Sequence, residues 1–64
     1  MTPEQRKLFK QEFGEMTNEE IMEQLREWHD EGGCEAACSC GAWIEADGTC
    51  EHDQPSWLRA LGWI

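Results

Sequence analysis

Apolar positions in the first 31 residues recur at helical spacing in two blocks. Leu8, Phe9 and Phe13 cluster on one side of a first helix, and Ile21, Met22, Leu25 and Trp28 form the stripe of a second. The boundary residues agree with this pattern. Thr2-Pro3-Glu4-Gln5 places a capping hydroxyl, a proline at the first helical position and a glutamine three residues after the cap, which predicts a helix from Pro3 to Phe13 stopped by Gly14. Thr17-Asn18-Glu19-Glu20 is a capping box, with Met16 and Ile21 as its hydrophobic staple, and predicts a helix over residues 18 to 31 stopped by Gly32-Gly33. The periodicity then changes. Gly41-Ala42-Trp43-Ile44-Glu45-Ala46 reads as a short strand, and Asp47-Gly48 is the dipeptide that a type I′ hairpin turn prefers. Near the end, Trp57, Leu58 and Leu61 fall on one side of a short helix that Pro55 would start and Gly62 would end. The expected fold is a small, metal-stabilised α+β domain: an N-terminal αα-hairpin packed on a β-hairpin, followed by a short C-terminal helix. Residues 1–64 form one domain, with a helical half (1–31) and a second half (34–64) meeting at Gly32-Gly33, the one visible hinge.

The second half carries the chemistry. Between Cys34 and His52 lie all four cysteines and one of the two histidines. They divide into Cys38-Ser39-Cys40-Gly41 and Cys50-Glu51-His52, with nine residues between Cys40 and Cys50, and a hairpin closed at Asp47-Gly48 would fold the second pair toward the first. Thiolate sulfur and imidazole nitrogen are the donors Zn²⁺ selects, and four of them in a tetrahedron make a closed structural site. Gly41, directly after Cys40, relieves crowding where backbone turns around a thiolate. Five donors compete for four places. Cys38, Cys40, Cys50 and His52 are favoured because they bracket the hairpin, and the alternative sets replace Cys38 or His52 with Cys34. His29, at the end of the second helix, reads as a surface histidine. From Cys34 to about Leu61, a glycine-flanked cysteine pair, a hairpin and a second pair before a helix resemble the zinc-ribbon and treble-clef group of small zinc-binding domains. The resemblance implies a zinc-bound hairpin and no single function.

Length calls for something to supplement the core. A chain of 64 residues buries only about 60% of the surface its unfolded form exposes, so a disulfide, a metal or oligomerisation must supplement the core. Met1-Thr2-Pro3-Glu4-Gln5 contains no apolar signal region, so a cytoplasmic location with reduced thiols is expected, and metal is preferred to disulfide. The cysteine spacing fits neither common ferredoxin pattern. No apolar run approaches the roughly 20 residues that span a bilayer.

Charge narrows the partners. Fourteen acids oppose five bases, for a formal net charge of -9, and thiolates on a divalent ion would not reduce it. Phosphate backbones repel such a protein, so direct nucleic-acid binding is not expected, and the acidic second helix argues against a helix-turn-helix. No nucleophilic triad, phosphate-cradling loop or open-site zinc motif occurs, so no enzymatic activity is expected. The resulting expectation is a protein-binding module, an adaptor or inhibitor that meets a basic protein surface, such as that of a nucleic-acid-handling enzyme, as small phage-type regulators do. Glu20, Glu23, Glu27, Trp28 and Trp63 are its candidate partner-binding residues. Trp63 and Ile64 either tuck into the core or join that surface. The alternatives are metal handling or thiol redox, using Cys34 as a spare thiol, and a homodimer or small subunit of a larger complex.

Overall fold

The computed structural model describes residues 1–64. In chain order the elements are α1 (Pro3–Phe13), α2 (Asn18–Glu31), β1 (Gly33–Glu35), β2 (Trp43–Glu45) and α3 (Trp57–Ala60). This is the small α+β arrangement expected from the sequence. Both N-terminal helices begin at the predicted capping boxes. The Thr2 hydroxyl accepts the Gln5 amide at 3.1 Å while the Gln5 side-chain oxygen accepts the Thr2 amide at 2.9 Å. Thr17 and Glu20 repeat the exchange at 3.2 and 3.0 Å. Each box satisfies amides that a helix start otherwise leaves without partners.

The aromatic residues weld the elements together. Phe13 lies 5.5 Å from Trp57 at a near-perpendicular angle, 6.2 Å from Trp28 and 4.9 Å from Phe9, measured between ring centroids. Edge-to-face pairs of this kind stabilise beyond their buried area. With Leu25, Cys34, Ala37 and Leu58 these rings form one core, and Trp57 and Leu58 are completely buried. The small helix α3 is thus the plug of the molecule. Its cap is Ser56, whose buried hydroxyl accepts the Arg59 amide and donates to the Ala46 carbonyl. Pro55 lies just outside the helix, where the sequence had put its first position. One expected core position falls outside: Met22 is half exposed. At about 100° per residue it sits about 120° around α2 from Trp28, beyond the buried stripe.

The hairpin is built differently from the sequence expectation. Strand β2 pairs back with β1, antiparallel, with Gly33 opposite Glu45, Cys34 opposite Ile44 and Glu35 opposite Trp43. Asp47-Gly48 does turn the chain, with the Gly48 amide donating to the Glu45 carbonyl at 2.8 Å. Neither residue has positive φ, so this is not a type I′ turn, and the strand after it does not pair with β2. The reason lies at the double glycine. Gly32 ends α2 in the left-handed conformation, φ 76°, and Gly33 starts β1 with the Trp43 indole lying on it. A side chain on residue 33 would occupy the indole's place, with a Cβ only 2.6 Å from Trp43 Nε1. The pair is therefore a packed junction, not a hinge. No helix is long and apolar enough to cross a membrane.

The two glycines are expected to fail in different ways. Gly32→Ala meets no neighbour and should cost about 1–2 kcal/mol from its left-handed backbone alone, with unchanged tryptophan emission. Gly33→Ala should displace Trp43 and alter that emission. Urea denaturation followed by fluorescence distinguishes them, and a Gly33→Ala variant with unaltered emission would refute the proposed seat of Trp43.

Candidate metal centre

Two short turns deliver the donors. The first is the loop of the β1–β2 hairpin, in which the Ala36 amide donates to the Ala42 carbonyl and the Gly41 amide to the Cys38 carbonyl. Gly41 closes it at φ 64°. A side chain there would meet nothing within 4 Å, so glycine serves the backbone angle and not crowding, as the sequence had suggested. The second turn runs from Cys50 to Gln54. It is closed by Cys50 N–H to the Gln54 carbonyl and Asp53 N–H to the Cys50 carbonyl, both 2.9 Å. Cys50 and His52 therefore sit on a tight turn, not on one face of a strand. Asp53 takes φ 63° there, a conformation asparagine and aspartate tolerate better than most residues.

The side chains of Cys38, Cys40, Cys50 and His52 converge, with all four donor atoms within 4.8 Å of one another. Cys38 Sγ and His52 Nδ1 are 3.6 Å apart. Zinc bonds of about 2.3 Å to sulfur and about 2.0 Å to nitrogen, spread tetrahedrally, put neighbouring donors about 3.5–3.8 Å apart. The observed pair already has that spacing, and the widest separation needs only a contraction of about 1 Å. Three sulfurs and one imidazole nitrogen fit zinc by chemistry as well as by distance.

Backbone amides prepare the site for thiolates. Burial pushes the Cys50 thiol up. Hydrogen bonds from the Gln54 and His52 amides, the latter at 3.4 Å, together with the Cys38 and Cys40 side chains, outweigh it and bring the group to about 7. At Cys40 the Ala42 amide pulls down, but desolvation and the Cys38 and Cys50 sulfurs leave the thiol above its ordinary value. Three thiols this close cannot all ionise cheaply without a cation among them.

Cys34, the alternative donor, lies elsewhere. It is fully buried in the apolar core, with its thiol 3.3 Å from the Glu35 carbonyl. Burial pushes this thiol up against the pull of the Leu58 and Trp57 amides, so it packs as a small neutral hydrophobe. His29 is exposed on α2, outside the cluster.

Gln5 is a neighbour of the site that apolar patterning did not identify. It is 7% exposed, and its side-chain amide donates to the Gln54 side-chain oxygen at 3.1 Å. Its visible signal was position: Gln5, Phe9 and Phe13 follow one another at i, i+4 along the inner side of α1.

The candidate partner residues divide. Glu23 and Glu27 are exposed on α2 beside Arg26 and Asp30, along a shallow depression. Glu20 lines the same depression but spends one carboxylate oxygen on the cap of its own helix. Trp28 is buried in the core, where it cannot act as an anchor, because its indole is needed between Phe13 and Trp43. Trp63 is half-buried against the core, its amide bonded to the Leu58 carbonyl, while Ile64 is 55% exposed. The exposed tryptophan is Trp43, at 57%.

Compared with known protein families, curated proteins and solved structures, the chain matches none of them.

Cys38→Ser or Cys50→Ser is expected to weaken zinc binding by more than the roughly 100-fold that loss of an outer-shell partner can cost, whereas Cys34→Ala should lower stability and leave metal affinity unchanged. Competition with a chromophoric chelator measures both, and equal losses for all three variants would refute this ligand set. Cys50 is depressed from an ordinary value of 9 to about 7. In the metal-free chain its contribution to stability is therefore complete above pH 9 and is lost as pH falls through about 7. Acid titration of the zinc-loaded chain should release metal below pH 7, as protons compete for the thiolates.

Proposed function

We propose that this chain is a zinc-stabilised protein-binding module, an adaptor or inhibitor directed at a partner with a basic surface, of which a nucleic-acid-handling enzyme is the concrete candidate. The convergence of Cys38, Cys40, Cys50 and His52 within 4.8 Å supports the zinc-stabilised part of the reading; the acidic surface supports the basic partner. Structural zinc contributes apparent binding energies of roughly 10–16 kcal/mol near neutral pH, against about 3–5 kcal/mol from the core of so small a domain. Zinc in this reading is a structural member, and its loss unfolds at least the second half. The zinc-ribbon and treble-clef likeness belongs to the same reading, with the difference that the pairs here are C-x-C and C-x-H, each on its own turn.

The partner's chemistry follows from what the scaffold exposes. With a formal charge of -9 and Glu19, Glu23, Glu27, Asp30 and Glu31 exposed along α2, the surface attracts cationic protein patches and accelerates their encounter. The thiol-redox alternative relied on an accessible spare cysteine, and Cys34 is enclosed in the core.

Two measurements test the proposal. Chelation should abolish the folded far-ultraviolet circular dichroism spectrum, and zinc should restore it. The immobilised zinc-loaded chain should retain basic nucleic-acid enzymes from a host lysate at low salt and release them at high salt. Retention indifferent to salt, with no such enzyme enriched, would remove the electrostatic reading.

A further inference from the structure

The β1–β2 register puts Gly33, Glu35, Trp43 and Glu45 on the same face of the hairpin. That face is one large indole with Glu35 across from it on β1, Glu45 two residues along β2, and no side chain at Gly33 beneath the ring. The Trp43 ring lies against Gly33 and meets the ring of Trp28 edge-on, 6.3 Å between centroids. Held on these two sides, it is nevertheless 57% exposed, the most exposed large hydrophobic residue of the chain. Burial alone does not account for the arrangement, because the strand neighbour Ile44 points the other way, to the Cys34 side, and packs better. Glu45 is exposed, while Glu35 is half-buried with its carboxyl facing that of Glu12 on α1, so a second acid stands behind it.

Within the reading of a module for basic partners, we infer that Trp43, flanked by Glu35 and Glu45, is the docking point for an arginine side chain from an exposed segment of the partner protein. The argument is complementarity. An indole face attracts a cation through its quadrupole, and a guanidinium can stack on the ring while its N–H groups reach a carboxylate. Arginine is favoured over lysine because its planar group does both at once. Two flanking carboxylates disfavour an anionic or purely apolar occupant, and the chain's overall charge opposes nucleic acid. The seat on Gly33 restrains the ring before the partner arrives, so little side-chain freedom is lost on contact. The acidic stripe of α2 then attracts at a distance, and Trp43 holds at contact.

The test is a titration of the isotopically labelled zinc-loaded chain with a blocked hexa-arginine peptide, following the backbone amides and the four indole N–H signals by NMR. The Trp43 indole and the amides of residues 33–35 and 43–45 should shift together. Trp43→Leu should weaken binding about two- to five-fold and Trp43→Phe less, as expected for an exposed cation–π contact, and hexa-lysine should bind more weakly than hexa-arginine. Glu45→Gln, at an exposed position, gives a second variant that retains the ring and should also weaken binding. Shifts confined to α2 with Trp43 unmoved would overturn the docking point while leaving an acidic partner surface in place. Absence of any shift at low salt would overturn both.

Discussion

Three sulfurs and an imidazole crowded within 4.8 Å are a constraint before they are a binding site. Ionised, the thiolates repel; protonated, they leave the amides of the two turns donating to weak acceptors. A divalent cation among the four donors would remove the conflict, and it would do so in the two turns that precede α3. Everything C-terminal to these turns depends on their being fixed. Helix α3 has only four residues and no independent stability, yet it supplies Trp57 and Leu58, the largest fully buried side chains. Anchoring the turns therefore anchors the plug of the core.

The helical half meets the other half through two kinds of contact. Aromatic rings from α1 and α2 surround Trp57 and its neighbours, and the Gln5–Gln54 hydrogen bond ties the start of α1 to the turn that bears His52. Gln5 is thus a cap residue and a brace at once, since its side-chain oxygen serves Thr2 while its nitrogen serves Gln54. Such a fully used amide is affordable inside a small core only because each polar atom has a partner.

Much of this was legible in the sequence, and the reasons are local. Capping boxes fix helix starts within four residues, so the bounds of α1 and α2 could be read directly. The favoured donor set coincides with the cluster in space because both pairs lie close in sequence. What was not legible depended on distant partners. Gly33-Cys34-Glu35 carries little strand preference, and only the seat it offers to Trp43 makes it the mate of β2. Asp47-Gly48 looked like a hairpin tip because its composition allows one, but composition could not report that β2 was already paired on its other side. Cys34 and Trp28 were ambiguous for a similar reason: cysteine is both a ligand and a core residue, and a tryptophan on a helix stripe fits an interface as well as a core.

The two turns are hung from a single splint. Ala36 bridges to Ser56 and the Ala37 amide bonds to the Pro55 carbonyl, while Thr49 bridges to Pro55 and the Cys50 amide bonds to the Gln54 carbonyl. Residues 54 to 56 therefore run between the jaws and set how far apart they stand. The separation of the two turns is therefore held by main-chain hydrogen bonds on both sides of residues 54 to 56, so a change to this short segment would move both donor pairs at once.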